Sequence, residues 1–244
     1  MAIEWSVHTY ASLPSTQDYV KELAQEGLPE GLVIQAIEQR AGKGRHGRHW
    51  FSPMGNLYMS VLLRPGCDVA QAGQLAFVTA VALSVAMDEV VDKNNHQKAL
   101  KWPNDILIDG KKVSGILIEK EGDAYVVGVG VNIMNPPDDA VGLNQVTWEI
   151  NVPIHPFRDK FLNHLGLFYA QWQKDGFAPI RRRWLAEAFR LNEEITVSTP
   201  PPGQSGIFRD LDEHGCLVLE QKNGKKLAIN SGEVYFGALN NIGA

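Results

Sequence analysis

The chain has 244 residues, 44% of them apolar and 9% aromatic, and its 23 basic and 28 acidic side chains leave a formal net charge of -5. These proportions exclude disordered and fibrous proteins, and the length allows a large domain with a small appendage to bury a core without disulfides. The acidic balance argues against a general nucleic-acid surface, which requires a basic excess on one face.

The cysteines and the N-terminal segment indicate the compartment. Cys67 and Cys216 lie far apart and belong to no metal-ligand or redox spacing, which fits a reducing compartment. Residues 1–10 lack a cationic start and an apolar segment, so they do not predict a secretory signal. The most apolar stretch, residues 75–91, is too short and too polar to cross a bilayer. We therefore expect a cytoplasmic protein that buries this stretch as a helix.

The larger, N-terminal part of the chain predicts an α+β fold, with a mixed β-sheet packed with helices. Ser15 and Asp18 form the S-x-x-[DE] capping pattern that begins a helix. Residues 133–155 are interrupted by prolines and are expected to be irregular. The predicted helices occupy residues 16–26, 71–92, 156–174 and 177–190, and the predicted strands occupy residues 32–37, 56–63, 99–102, 106–108, 113–120 and 124–132.

After Glu194 the sequence changes to short apolar runs divided by turn residues. The predicted strands here occupy residues 195–197, 206–211, 216–220, 227–229 and 234–236. We therefore expect two domains: an α+β domain over residues 1–190 and a small SH3-like β-barrel over residues 191–244.

Residues 40–48 form the strongest local feature. They contain four fixed cations, three glycines and no carboxylate. Glycines let backbone amides approach an anion, and guanidinium groups add bidentate charge-assisted hydrogen bonds. The pattern matches neither a Walker A loop nor the GxGxxG fingerprint. It predicts a loop that binds phosphate or carboxylate, and a solvated, flexible hairpin tip is the alternative.

Other segments combine strand or turn backbone with polar side chains. Residues 101–105, Lys-Trp-Pro-Asn-Asp, end a strand in a turn that presents an amide beside a carboxylate, and a simple Asx turn is the alternative. Gly115 and Gly128 interrupt predicted strands. Such glycines invite a ligand to approach the backbone, although a close sheet-to-helix contact would also explain them. Lys111 and Lys112 follow a turn, where paired lysines are usually solvated.

Two further patterns favour ordinary surface roles. His46 and His49 have no third acid or cysteine beside them in the sequence, so no metal site is predicted. Three consecutive arginines, residues 181–183, fall within a predicted helix, where a solvated face is favoured over nucleic-acid binding.

Taken together, these segments resemble the catalytic domain of biotin protein ligase, in the form without an N-terminal DNA-binding domain. The resemblance covers nearly the whole chain in the family's order. It rests on Ser15-Thr16-Gln17, Gln39 with the glycine-arginine loop through Arg48 and Trp50, residues 101–105, Lys112 with Gly115, Gly128-x-Gly130-x-Asn132, and residues 231–234. Lys43 departs from the family, which more often has arginine there. The resemblance implies the class II synthetase-like fold of biotin and lipoate ligases.

The resemblance also implies a reaction in two steps. Biotin is activated with ATP and Mg²⁺ to biotinyl-5′-AMP with release of pyrophosphate, and biotin is then transferred to a lysine of the biotin carboxyl carrier protein of acetyl-CoA carboxylase or a related carboxylase. Because the first step brings a carboxylate onto a polyphosphate, positioning and electrostatic neutralisation are the expected work of the protein. No tightly bound prosthetic group, DNA or membrane is expected, and the chain would be a monomer or weak homodimer.

The resemblance assigns roles residue by residue. Lys112, Arg45 and Asp105 would be catalytic, with Asp105 orienting the acceptor lysine rather than deprotonating it. Biotin would be bound by Ser15, Thr16, Gln17, Gln39, Lys43, Gly44, Arg45, Lys112, Gly115 and Gly128, and ATP by Arg48, Trp50, Lys101 and Asn132. Two alternatives stay open: a lipoate or octanoate ligase or transferase of the same superfamily, and a non-catalytic biotin or nucleotide sensor.

Overall fold

A computed structural model gives the fold, and it describes residues 3–198, 203–230 and 232–235. The helices are α1 (Thr16–Gln25), α2 (Val69–Ala72), α3 (Gln74–Asp88), α4 (Ile154–Asp175) and α5 (Ala178–Ala186). The strands of the first sheet are β1 (Ser6–Leu13), β2 (Leu32–Gln39), β3 (Leu57–Leu63), β4 (Lys98–Lys101), β5 (Asp105–Ile108), β6 (Lys111–Glu121) and β7 (Ala124–Val131). The second sheet contains β8 (Glu194–Ser198), β9 (Gln204–Leu211), β10 (Leu217–Glu220), β11 (Lys226–Ile229) and β12 (Glu233–Tyr235).

The first sheet has seven strands in the order β1-β2-β3-β7-β6-β5-β4. Strands β1 and β2 pair in parallel and the other neighbours pair antiparallel, which confirms the predicted mixed sheet with helices. Sequence analysis missed β1. Its side chains are exposed or half-buried at every position, so the sequence carries little of the apolar alternation that marks a strand.

Helices cover both faces of this sheet. Side chains alternate between the faces of a strand, so Val33 and Val61 belong to a large core with α3, α4 and α5, while Ile34 and Leu62 belong to a smaller core under α1. Helix α1 begins at the predicted cap, where Ser15 Oγ accepts a hydrogen bond from Asp18 N at 3.4 Å.

Two predicted helices are shorter in the structure. The segment predicted as residues 71–92 divides into α2 and α3, which ends at Asp88. The segment predicted as residues 177–190 ends at Ala186, because the following backbone pairs with the edge of the sheet. Leu100 N donates to Glu187 O at 2.8 Å, and Phe189 N donates to Leu100 O at the same distance. Within the described ranges, none of the helices combines the length and apolar character that crossing a bilayer requires.

The C-terminal strands form a five-stranded antiparallel sheet in the order β11-β10-β9-β8-β12. This sheet is consistent with the predicted small SH3-like domain. Among the described residues, no strand pairing joins its two outer strands, β11 and β12. Phe236, at the end of the last predicted strand, lies outside the described residues.

Apolar packing joins the second sheet to the first domain. The ring of Trp184 on α5 lies 5.4 Å from that of Phe77 on α3 and 6.4 Å from that of Phe208 on β9. Trp102 follows β4 and is 3% exposed, and its indole N–H donates to Gly215 O at 3.1 Å. The apolar core therefore runs without interruption from the seven-stranded sheet to the C-terminal sheet. The domain boundary at residue 190 stays a prediction.

Candidate functional site

A cavity of about 310 Å³ opens on the face of the sheet that carries α1. On this face of β7, Val126 packs under α1. The next residues on the same face are Gly128 and Gly130, followed by Asn132 after the strand, and the two glycines leave space above the sheet. The cavity wall includes every residue that sequence analysis selected: Ser15, Thr16, Gln17, Gln39, Lys43, Gly44, Arg45, Arg48, Trp50, Lys101, Asp105, Lys112, Gly115, Gly128 and Asn132.

One end of the cavity is lined by uncharged polar groups, which we call the neutral end (Ser15, Thr16, Gln17, Gln39 and Ser60). Gln39 Oε1 accepts hydrogen bonds from Thr16 N at 2.8 Å and from Thr16 Oγ1 at 3.1 Å. Thr16 Oγ1 also lies 2.9 Å from Ser60 Oγ. These bonds link α1, β2 and β3, so the polar groups are held in place by secondary structure.

Gln17 extends this network toward β7. Its Oε1 accepts from Ser60 Oγ at 3.0 Å, and its Nε2 donates to Val126 O at 3.1 Å. A Cβ on Gly128 would lie 2.5 Å from Gln17 Oε1, so glycine at this position lets the amide reach the sheet. Sequence analysis missed Ser60, and the available signal was a lone polar residue inside an otherwise apolar strand.

The glycine-arginine loop is a short hairpin. Lys43 and His49 form an antiparallel bridge, Gly44 N donates to Arg48 O at 2.8 Å, and Trp50 N donates to Gly42 O at 2.8 Å. Residues Arg45–Gly47 make a single 3₁₀ turn at its tip. The backbone of the loop is thus a hairpin, as in the predicted alternative. The loop also forms part of the cavity wall.

The other end of the cavity carries cationic groups, which we call the charged end (Lys43, Arg45, Arg48, Lys101 and Lys112). Lys112 Nζ lies 2.7 Å from Asp105 Oδ1, and Lys43 Nζ lies 2.5 Å from Asp18 Oδ1 on α1. Both pairs are partly solvated, since the Lys112 and Lys43 side chains are 37% and 44% exposed. Their attraction is therefore modest, and an anionic ligand can compete for the ammonium groups.

Asn104 connects the turn at residues 101–105 to the loop. Its Nδ2 donates to Ile116 O at 2.6 Å on β6, and its Oδ1 accepts from Arg45 Nη1 at 3.3 Å. The amide thus bridges two elements of the cavity wall, which is more than the simple Asx turn that was the alternative. Asn104 belonged to a motif in the sequence analysis but received no role.

The turn before Lys112 is well fixed. Asp109 and Gly110 have φ values of 52° and 77°, as a tight hairpin turn requires. The Asp109 carboxylate accepts from Gln97 N at 2.9 Å and lies 2.6 Å from His96 Nδ1. These hydrogen bonds, His96 first, lower the pKa of Asp109. Lys112 therefore extends from a rigid strand end, which suits a group that must meet charge at a fixed position.

Several cavity residues had no sequence prediction. Pro137, Asp139 and Ala140 reach the wall because Val141 N donates to Lys112 O at 3.0 Å and so holds this segment against β6. Val234 on β12 also lines the cavity, so the second sheet contributes to it. Among the described residues, no group of three or more His, Cys, Asp or Glu side chains is arranged to hold a metal ion.

Comparison with known proteins identifies related chains. A model of the Biotin/lipoate A/B protein ligase family matches residues 10–133, and a model of the Biotin protein ligase C terminal domain matches residues 191–237. The biotin–[acetyl-CoA-carboxylase] ligase of Paracoccus denitrificans is 39% identical over 226 residues, covering 86% of this chain and 92% of that protein. The bifunctional ligase/repressor BirA of Bacillus subtilis is 32% identical over 243 residues, covering 92% of this chain and 72% of that protein.

A solved structure supports the same comparison. The biotin protein ligase from Aquifex aeolicus, in complex with biotin and ATP, matches with a TM-score of 0.83 at 28% sequence identity. The match covers 94% of this chain and 97% of that chain. The similarity therefore includes both the seven-stranded sheet and the C-terminal sheet.

Proposed function

The chain belongs to the biotin/lipoate A/B protein ligase family, and from this premise we propose that it is a biotin protein ligase. It activates biotin with ATP to biotinyl-5′-AMP, releases pyrophosphate, and transfers biotin to a lysine of the biotin carboxyl carrier protein of a carboxylase. The observation that carries the proposal is one cavity in which a neutral hydrogen-bonding end continues into a cationic end.

The neutral end suits the ureido ring of biotin. This ring has one carbonyl acceptor and two N–H donors, so its site must offer both kinds of partner. Hydroxyl groups of Ser15 and Thr16 and the amide of Gln39 offer both, and Thr16 and Gln39 are already oriented by mutual hydrogen bonds. We assign the valeryl chain to the part of the cavity between the neutral end and the charged end, whose wall includes Gly115 and Gly128, and this path leads its carboxylate toward Lys112.

The charged end suits the first chemical step. A biotin carboxylate oxygen attacks the α-phosphorus of ATP, the bond to the bridging oxygen breaks, and pyrophosphate leaves with that electron pair. Lys112 and Arg45 offset the negative charge where carboxylate and phosphate meet. Lys43 and Gly44 close over the same oxygens, Arg48 and Lys101 bind phosphate, and Trp50 and Asn132 hold the adenine.

The second step requires a free amine at the same carbonyl carbon. The neutral amine of the carrier lysine attacks the carbonyl carbon of the mixed anhydride, an amide bond forms as the acyl carbon–oxygen bond breaks, and AMP leaves with that electron pair and takes up the proton lost by the amine. When the phosphoryl group draws Lys112 away, Asp105 loses its partner at 2.7 Å and becomes available to orient the incoming lysine. The same carboxylate thus pairs first with the Lys112 ammonium group and then accepts a hydrogen bond from the incoming amine.

The proposal includes further elements around this reaction. Mg²⁺ would accompany ATP and screen its phosphate charge. Asp105 and Asp139 are the carboxylates that line the cavity near these groups. We also propose a cytoplasmic protein that acts as a monomer or weak homodimer, and its net charge of -5 supports the absence of DNA binding.

Two alternatives are weaker. A lipoate or octanoate ligase belongs to the same broad family, but the Paracoccus denitrificans relative, the Aquifex aeolicus structure and the model of the C-terminal domain carry the name of biotin. A non-catalytic sensor is disfavoured because the Paracoccus denitrificans and Bacillus subtilis relatives are both named as ligases and because Lys112 and Arg45 line one cavity.

The test of the function is biotin-dependent exchange of pyrophosphate into ATP, followed by intact-mass analysis of a carrier domain. We expect exchange only with biotin, and a single biotin added to one carrier lysine. Equal or better transfer of lipoate or octanoate would favour the first alternative. Biotin binding without exchange would favour the sensor.

A further inference from the structure

Two glycines face each other in the middle of the cavity wall. Gly115 on β6 and Gly130 on β7 are register partners in the antiparallel ladder, and the residues beside Gly130 along β7 are the β-branched Val129 and Val131. A cross-strand pair without side chains leaves a flat depression in a sheet surface. We call this depression the glycine shelf (Gly115 and Gly130).

The indole of Trp50 fills the glycine shelf. A Cβ on Gly130 would lie 2.5, 2.6 and 2.7 Å from Trp50 Cε2, Nε1 and Cζ2. A Cβ on Gly115 would lie 2.9 Å from Trp50 Cζ3. Real Cβ atoms do not approach other atoms this closely, so even alanine at residue 130 would force the ring to move.

Packing alone holds the plane of this ring. The backbone of Trp50 is fixed by the hydrogen bond from its N–H to Gly42 O. By contrast, the indole Nε1 is buried and has no hydrogen-bond acceptor among the described residues. A ring without a hydrogen bond takes the orientation that its contact surface allows, and here that surface is the glycine shelf.

The shelf also sets the position of Lys112. Its Nζ lies 5.1 Å from the centre of the Trp50 ring, within the range of a cation–π contact. Its Cε and Nζ would lie 3.1 and 3.2 Å from a Cβ on Gly115. Displacing the ring would therefore change the surroundings of the ammonium group that we assign to the phosphoryl oxygens.

We propose that Gly130 is a positioning residue, which together with Gly115 sets the plane of the Trp50 indole for the nucleotide. The proposal rests on the proposed function, because it takes Trp50 to contact the adenine of ATP. It explains why residue 130 is glycine within a β-branched strand. It also gives the two glycines of the Gly128-x-Gly130 motif different roles: Gly128 accommodates Gln17 at the neutral end, and Gly130 accommodates Trp50.

The test compares Gly130→Ala with the parent chain. Because the ring must shift, we expect KM for ATP in biotin-dependent exchange to rise about tenfold, while biotin binding measured without ATP changes less than about twofold. Gly73→Ala is the matched control, because a Cβ there meets nothing within 4 Å and its φ of -57° suits alanine. That control should leave both values unchanged.

A double variant tests whether the effect passes through the ring. Phenylalanine is smaller than tryptophan, so Gly130→Ala should add little to Trp50→Phe, and the double variant should have nearly the KM for ATP of Trp50→Phe alone. Additive effects of the two substitutions would overturn the proposal.

A direct probe of the ring is independent of activity. The chain has six tryptophans, and the fluorine resonance of 5-fluorotryptophan at residue 50 is identified by its loss in Trp50→Phe. Gly130→Ala should shift this resonance and leave the others in place. An unchanged resonance, or a shifted resonance with an unchanged KM, would overturn the proposal. A parent chain without biotin-dependent exchange would instead overturn the proposed function, and the resonance would still test the shelf.

Discussion

The neutral end and the charged end of the cavity are built in opposite ways. At the neutral end Thr16 donates to Gln39 and lies 2.9 Å from Ser60 Oγ, and Thr16 and Ser60 are 3% and 0% exposed. At the charged end Lys112 and Lys43 pair with carboxylates across partly solvated contacts. The comparison indicates that recognition is preorganised, whereas activation requires protein ion pairs to be exchanged for contacts with substrate.

The largest expected effect is at the charged end, from Lys112→Ala. Loss of a group that stabilises developing charge costs about 10²–10³-fold in rate, so biotinyl-adenylate formation should fall by that factor. The melting temperature reports separately on the ion pair, because Asp105 Oδ1 is buried and loses its partner at 2.7 Å. Pre-steady-state measurement of adenylate checks the rate, with the exposed neighbour Lys111→Ala as control. Adenylation within about tenfold of the parent would remove Lys112 from the chemical step.

Arg45→Ala should have the next largest effect, on retention of the intermediate. A hydrogen bond to a charged group contributes about 1.5–3 kcal/mol, so release of biotinyl-5′-AMP should accelerate by about 10–100-fold. Release can be followed with radiolabelled adenylate and by stray biotinylation of exposed lysines in a bystander protein. Arg182→Ala on α5, outside the cavity wall, is the control. Parent-like retention would show that Arg45 does not hold the adenylate.

At the neutral end, Thr16→Val should weaken biotin binding about tenfold, because it removes a hydroxyl from a buried hydrogen-bond network. The backbone bond from residue 16 N to Gln39 Oε1 is kept, so the fold should persist. Calorimetric titration with biotin checks the affinity, and Thr9→Val on the exposed edge strand is the control. An unchanged affinity would contradict the assignment of the ureido ring to this end.

The smallest effect is expected from Asp18→Asn, which removes the partner of Lys43. The pair is about 40% exposed on both sides, and such pairs contribute at most about 1 kcal/mol, so KM for biotin should change less than about fivefold. Glu22→Gln on the same helix is the control. A larger loss would show that the charged end also depends on a fixed ion pair, and the contrast between the two ends would fail.

Sequence analysis predicted the elements whose signals are local. The S-x-x-[DE] cap gave the start of α1, and the apolar runs gave β2, β3 and β7. It missed β1, whose side chains are never fully buried. It also missed Ser60, and it did not pair Lys112 with Asp105. That contact arises because β5 and β6 are antiparallel neighbours with Asp105 opposite Gly115, and such register depends on the assembled sheet.

The glycines illustrate the same limit more sharply. The sequence identified Gly115 and Gly128 as unusual inside strands and predicted close approach by a ligand. In the structure the space above them is occupied by Trp50 and Gln17, which come from a loop and a helix distant in sequence. A glycine in a strand shows that something approaches closely, but its partner becomes known only when the fold brings the elements together.

The most direct test of the contrast between the two ends is the salt dependence of two ligands on the parent chain. Calorimetry would compare biotinol, the uncharged alcohol that keeps the ureido ring, with biotin, whose carboxylate reaches Lys112, at low and high ionic strength. Because salt screens partly solvated charges far more than buried neutral hydrogen bonds, biotinol affinity should change less than about twofold, while biotin should weaken about threefold or more. Equal salt dependence of the two ligands would contradict a cavity that is neutral at one end and cationic at the other.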